Sequence, residues 1–122
     1  MKHILTLAAL AVTATSALAE APMVGKTDKG EALVNAAGMS LYTFDKDHGG
    51  KSACDEECTE YWPPAMADEG DKPVGKFSLV TRADGSKQWA HDGHPLYGWA
   101  KDSAPGQTTG DGVKGVWHLA RP

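Results

Sequence analysis

Three groups of residues in this chain have types and spacings that suit chemistry. His91 and His94 flank Asp92-Gly93, the strongest short-range signal for a two-residue hairpin, which places the two imidazoles opposite each other. Facing positions on one sheet face have Cβ atoms roughly 4.5–5.5 Å apart, close enough to share a metal ion. His118 and His48 are further nitrogen donors, and Met39 and Met66 are soft donors of the kind copper takes. Cys54 and Cys58 form the second group, four apart in Cys54-Asp55-Glu56-Glu57-Cys58. Two readings of them stand: a short structural disulfide, expected in an exported chain with an even cysteine count, or a dithiol that holds copper(I) or exchanges with partners. The third group is a phrase that occurs twice. Gly38-Met39-Ser40-Leu41-Tyr42-Thr43-Phe44-Asp45-Lys46-Asp47 is matched 55 residues later by Gly93-His94-Pro95-Leu96-Tyr97-Gly98-Trp99-Ala100-Lys101-Asp102.

The repeated Tyr and Asp admit a structural and a functional role. Asp commonly closes a strand by accepting hydrogen bonds from turn N–H groups, and a buried Tyr hydroxyl needs a partner that Asp can supply. Alternatively, Asp47 and Asp102 face each other across the repeat's symmetry and form one acidic site for a cation or a polar ligand. The structural role is the one expected. Catalysis has little to rest on. The chain contains no Gly-x-Ser-x-Gly elbow, no His-Glu-x-x-His and no phosphate loop, and no nucleophile is tied to His91-Asp92.

The elements that must position these groups follow from the repeat. Without gaps, the offset of 55 also aligns Gly30 with Gly85 and Trp62 with Trp117. Two copies, about 24–64 and 77–122, are joined by a polar linker, 68–75. In the first copy strands are expected over Ala32–Ala36 and Met39–Phe44, with Leu41 on one face and Tyr42 and Phe44 on the other. A helical turn follows over Asp55–Tyr61, ended by Pro63 and Pro64. In the second copy strands are expected over Phe77–Arg82, Ser86–His91, His94–Trp99 and Val116–Leu119. No stretch has sustained helical periodicity, so the fold class is all-β. A unit of about 40 residues has too little core to stand alone. Two β-meander repeats packed as a small sandwich or barrel with approximate two-fold symmetry satisfy this constraint.

Residues 1–19 read as a secretory signal: Lys2 and His3, an apolar run from Ile4 to Val12, then Ala17-Leu18-Ala19 before the cut. The run is far short of the roughly 20 residues that span a bilayer. Residues 20–122 then form a single exported domain, periplasmic or secreted. Removing Lys2 takes the formal charge from −4 to −5. A mildly acidic surface argues against nucleic acid or anionic lipid as a partner. No Ile lies outside the signal, so the four Trp residues must carry much of the burial.

The Tyr-x-aromatic-x-x-Asp pattern, present as Tyr42/Phe44/Asp47 and as Tyr97/Trp99/Asp102, resembles the motif of a family of bacterial secreted repeats and predicted lipoproteins. Cys54-x3-Cys58-x3-Trp62-Pro63-Pro64, the Asp92–Tyr97 hairpin and Gly112-x2-Gly115-x-Trp117 are similar to that family as well. The resemblance covers almost everything after the signal, and it implies no assigned biochemical activity. Many members carry a lipid-attachment cysteine, and no cysteine directly follows the signal's cut here, so neither a lipid anchor nor a membrane span is expected. The function expected is that of a small, non-enzymatic binding or interaction module without a cofactor. The alternative is a periplasmic carrier of copper or another metal such as zinc, built on His91 and His94 with His118, Cys54, Cys58 or methionines as further ligands.

Overall fold

Each copy begins with a hairpin whose turn is set by a glycine in the left-handed region. In the computed structural model, which describes residues 21–122, β1 (Met23–Thr27) pairs antiparallel with β2 (Gly30–Val34), and Gly30 has φ +90°. The signal expected over residues 1–19 lies outside the described residues. Each copy then returns along its Leu-Tyr phrase. In the first copy this is β3 (Tyr42–Phe44), followed by helix α1 (Glu57–Tyr61) and a short strand, β4 (Met66–Ala67). In the second copy β5 (Phe77–Thr81) and β6 (Lys87–His91) form the hairpin, Gly85 has φ +87° in its turn, and β7 (His94–Pro95) returns. A 3-10 turn at Val113–Gly115 precedes the closing strand, β8 (Trp117–Leu119). The result is all-β apart from α1 and that turn. Among the described residues it consists of several small antiparallel sheets and no closed barrel.

The two copies exchange their closing segments. β8, from the second copy, pairs with β3 of the first, with Phe44 opposite Trp117 and Tyr42 opposite Leu119. In return Pro64, from the first copy, bridges Tyr97 of the second, and β4 pairs with β6. Backbone bonds repeat the exchange: Leu33 N–H donates to Ala120 and Ala120 N–H to Leu41, while Trp89 N–H donates to Ala65 and Ala65 N–H to Leu96. At the centre Tyr42 and Tyr97 donate to each other's carbonyls, at 2.7 and 3.0 Å. These reciprocal contacts define an approximate two-fold axis passing between the two tyrosines.

The same bonds correct the gapless alignment. Leu33 and Trp89 make equivalent bonds, so β2 and β6 correspond at an offset of 56, whereas Leu41 and Leu96 return to 55. The turn before β6 is one residue longer than its counterpart before β2, and the turn after it is one residue shorter. The two changes cancel, which preserves the facing of every later side chain.

Alternation along the central strands feeds two cores. Ala32, Tyr42 and Tyr97 point into an aromatic cluster with Trp62 and Trp117. Their neighbours Leu33, Leu41 and Leu96 point the other way, into a cluster with Trp89. Strands covered on both faces explain why the phrase is apolar without a break at Leu41-Tyr42 and Leu96-Tyr97, all four side chains being buried. In the first copy the closing segment contains Pro63 and Pro64, so it forms an isolated bridge instead of a strand like β8.

Candidate functional site

The repeated Tyr and Asp bond across the copies. The Tyr42 hydroxyl donates to Asp102 Oδ2 at 2.6 Å, and the Tyr97 hydroxyl donates to Asp47 Oδ2 at 2.7 Å. Asp47 and Asp102 therefore do not share one site; each closes a turn of its own copy. The Ala53 N–H donates to Asp47 Oδ1, and the Thr109 N–H and hydroxyl donate to Asp102 Oδ1. Burial, reinforced by the Asp102 hydrogen bond, pushes the Tyr42 hydroxyl well above the ordinary tyrosine range. Burial does the same to Tyr97, with Ser52 opposing it and Asp47 reinforcing it. Asp47 is itself raised by burial, against the Ala53 N–H and the Tyr97 hydroxyl. The Asp47 side is further tied down by Arg82, whose guanidinium donates to Ser52 Oγ, Gln88 Oε1 and the Cys54 carbonyl. Two tyrosines that hold their protons and whose partners are already bonded are locks between the copies.

Below them lies a column of four rings. Trp62 and Trp117, equivalent in the two copies, stack with centroids 3.8 Å apart and planes 3° from parallel. Phe44 stacks on the other face of Trp117 at 4.1 Å, and Trp99 on the other face of Trp62 at 3.9 Å. Phe44 and Trp99 are themselves equivalent, so the column obeys the two-fold. Tyr42 meets Trp62 edge-on, and Tyr97 meets Trp117 edge-on. Such ring pairs each contribute about 0.5–1.5 kcal/mol beyond burial. This cluster carries the load that missing aliphatic residues leave.

The column forms the floor of an open groove of about 760 Å³ that straddles the axis. Its other walls come from α1 (Glu57, Cys58 and Tyr61) and from the 3-10 turn with Val116. Lys46, Lys101 and Lys114 stand around it, and among the described residues Glu57 is the one acidic residue in its lining. Lys101 Nζ lies 5.8 Å from the centre of the Trp99 ring, a cation–π distance. Lys46 and Lys101 are the penultimate residues of the repeated phrase. Their identity in both copies was the available signal for this site, although the neighbouring Asp draws more chemical attention.

Cys54 and Cys58 form a disulfide, so neither sulfur is a thiolate donor. It holds α1 against the aromatic cluster, with Cys54 fully buried and Cys58 at the groove wall. The His91/His94 hairpin forms with the two residues in register opposite each other. The His91 ring leans on Phe77, with centroids 5.1 Å apart, and His94 is exposed. His118 is on β8, with Nε2 2.8 Å from Asp45 Oδ2. Among the described residues no three His, Cys, Asp or Glu side chains gather around a point that would hold a metal ion. Among the same residues no helix is long and apolar enough to cross a membrane.

Comparison with known proteins agrees with this two-copy architecture. Neither the curated proteins nor the solved structures contain a match to the chain. A family model described as a secreted repeat of unknown function matches it twice, over residues 23–66 and 78–121. These two matches span well over half of the chain and coincide with the copies that exchange their closing segments, so the protein belongs to that family of secreted repeats.

Proposed function

We propose that this protein is an exported, non-catalytic binding module, acting in the periplasm or outside the cell, whose ligand occupies the groove on the two-fold axis. The observation that carries this reading is the aromatic column left open along one side and surrounded by lysines. A concave site of this volume, apolar at its floor with a few charged groups around it, is the usual form of a small-molecule site. The non-catalytic reading is supported by the groove's inventory: lysines, one glutamate and rings, with no nucleophile set beside a base. The Tyr–Asp pairs, the other titratable feature of the repeat, have their hydrogen bonds occupied within the fold.

A panel of anionic, neutral and cationic small molecules, screened by tryptophan emission, tests the reading. At least one class is expected to change the emission of the wild type and to lose that effect in Trp99→Ala. If nothing in the panel changes the emission, or the change survives in Trp99→Ala, the groove is not the binding site.

A further inference from the structure

We infer that the groove selects a small organic dianion, with an apolar planar body and one acidic group, a carboxylate or sulfonate, at each end. This rests on the groove being the ligand site and goes on to say what it takes.

Three observations lead there. First, the two central indoles have no free face. Trp62 is covered by Trp99 and Trp117, and Trp117 by Trp62 and Phe44. Whatever they present to the groove is ring edge, and the edge of an aromatic ring is the positive part of its quadrupole. A neutral sugar, which packs its C–H face on an exposed ring face, gains little from such a floor.

Second, among the described residues the indole N–H groups of Trp62 and Trp117 have no hydrogen-bond acceptor, yet neither is a buried orphan. Among the described residues the buried side-chain polar atom without a partner is Trp89 Nε1, in the other core. The Trp62 and Trp117 N–H groups therefore reach solvent through the small part of each residue that remains exposed, and both residues line the groove.

Third, the cations are arranged by the symmetry. Phe44 and Trp99 end the column, and ring spacings of 4.1, 3.8 and 3.9 Å put these outer rings at most about 12 Å apart. Lys46 follows Phe44 by two residues, and Lys101 follows Trp99 by two, with its ammonium near the Trp99 ring. Each outer ring is thus followed in sequence by an equivalent lysine that lines the groove, while Lys114 adds a third positive charge against Glu57. On a chain of formal charge −4 this local excess of cations favours an anion specifically here. One acidic group on the ligand would meet one end lysine, and a two-ended acid would meet both.

The full chain is titrated with biphenyl dicarboxylate, the matching monocarboxylate, the neutral dicarboxamide and a short uronic-acid oligomer, following the four indole N–H resonances. The dicarboxylate is expected to shift the Trp62 and Trp117 resonances and leave Trp89 in place, binding at least tenfold tighter than the dicarboxamide. Lys46→Glu and Lys101→Glu are each expected to weaken it about tenfold and bring it to the monocarboxylate's level. Both lysines are exposed, and unchanged circular dichroism verifies that the variants fold. If the dicarboxamide binds the groove within about threefold of the dicarboxylate, or the charge reversals change nothing, the dianion inference fails while the binding site stands. Preference for the uronic-acid oligomer also overturns it. If no compound moves Trp62 or Trp117, the groove reading fails too.

Discussion

Replacing Tyr42 with Phe removes one oxygen from the interface between the copies, and its cost can be worked out from the partners left behind. Asp102 Oδ2 loses the 2.6 Å hydrogen bond from Tyr42, and Asp102 is only 8% exposed, so water replaces that bond poorly. The Gly110 N–H, 3.3 Å from the same hydroxyl, loses its acceptor too. A hydrogen bond to a charged group contributes about 1.5–3 kcal/mol. In a domain of this size that corresponds to a melting temperature lower by roughly 6–24 °C. Tyr97→Phe should cost less, roughly 1 kcal/mol, because Asp47 is half-buried and Ser52 Oγ keeps its bond from Arg82. The decisive assay is a double-mutant cycle by denaturant unfolding. Tyr42→Phe should couple to Asp102→Asn by at least about 1.5 kcal/mol, and to Asp47→Asn, in its own copy, by less than about 0.5 kcal/mol. Coupling to Asp47 instead of Asp102 would refute the exchange between copies.

Three further outcomes follow from the same contacts. Trp117→Ala removes a ring stacked on both faces and should lower unfolding free energy by about 3–5 kcal/mol, with loss of the near-ultraviolet dichroism of the column. Removing the disulfide with Cys54→Ser and Cys58→Ser together should cost about 2 kcal/mol, since the closed loop is short, and the wild type in reductant should melt at the variant's temperature. Asp111 is held below the usual carboxylate range, chiefly by the Leu119 backbone N–H and also by Lys29. Its contribution is present above the unfolded carboxylate pKa, about 3.9, and is lost as pH falls through the lowered folded value. The acid limb of a stability-against-pH curve should therefore be shallower in Asp111→Asn than in the wild type.

Much of the scaffold was legible because the repeat constrains it. Leu41 and Tyr42 on opposite faces, the Asp92-Gly93 turn and the helical turn ended by Pro63-Pro64 all follow from local rules, and the structure has each of them. The exchange of closing segments was not legible, because pairing β8 with β3 instead of its own copy changes no local pattern. The one-residue shift of β6 was hidden by Gly30 and Gly85, which align at 55 only because both serve hairpin turns. At the site, Tyr42 and Asp102 were visible as motif residues, but the partner of each belongs to the opposite copy. His91 and His94 are conspicuous by their ligand chemistry and do sit together, while the groove takes its walls from segments distant in sequence. Stacking of Trp62 on Trp117 depends on the axis passing between them, which no spacing encodes.

On the reading proposed above, the groove over the Phe44–Trp117–Trp62–Trp99 column holds a ligand. Native mass spectrometry of the protein recovered from its own exported compartment tests it most directly, comparing the wild type with a Trp99→Ala/Lys101→Glu variant. A non-covalent adduct of small-molecule mass is expected on the wild type and absent from the variant. An adduct retained by the variant, or a bare wild type, would contradict it.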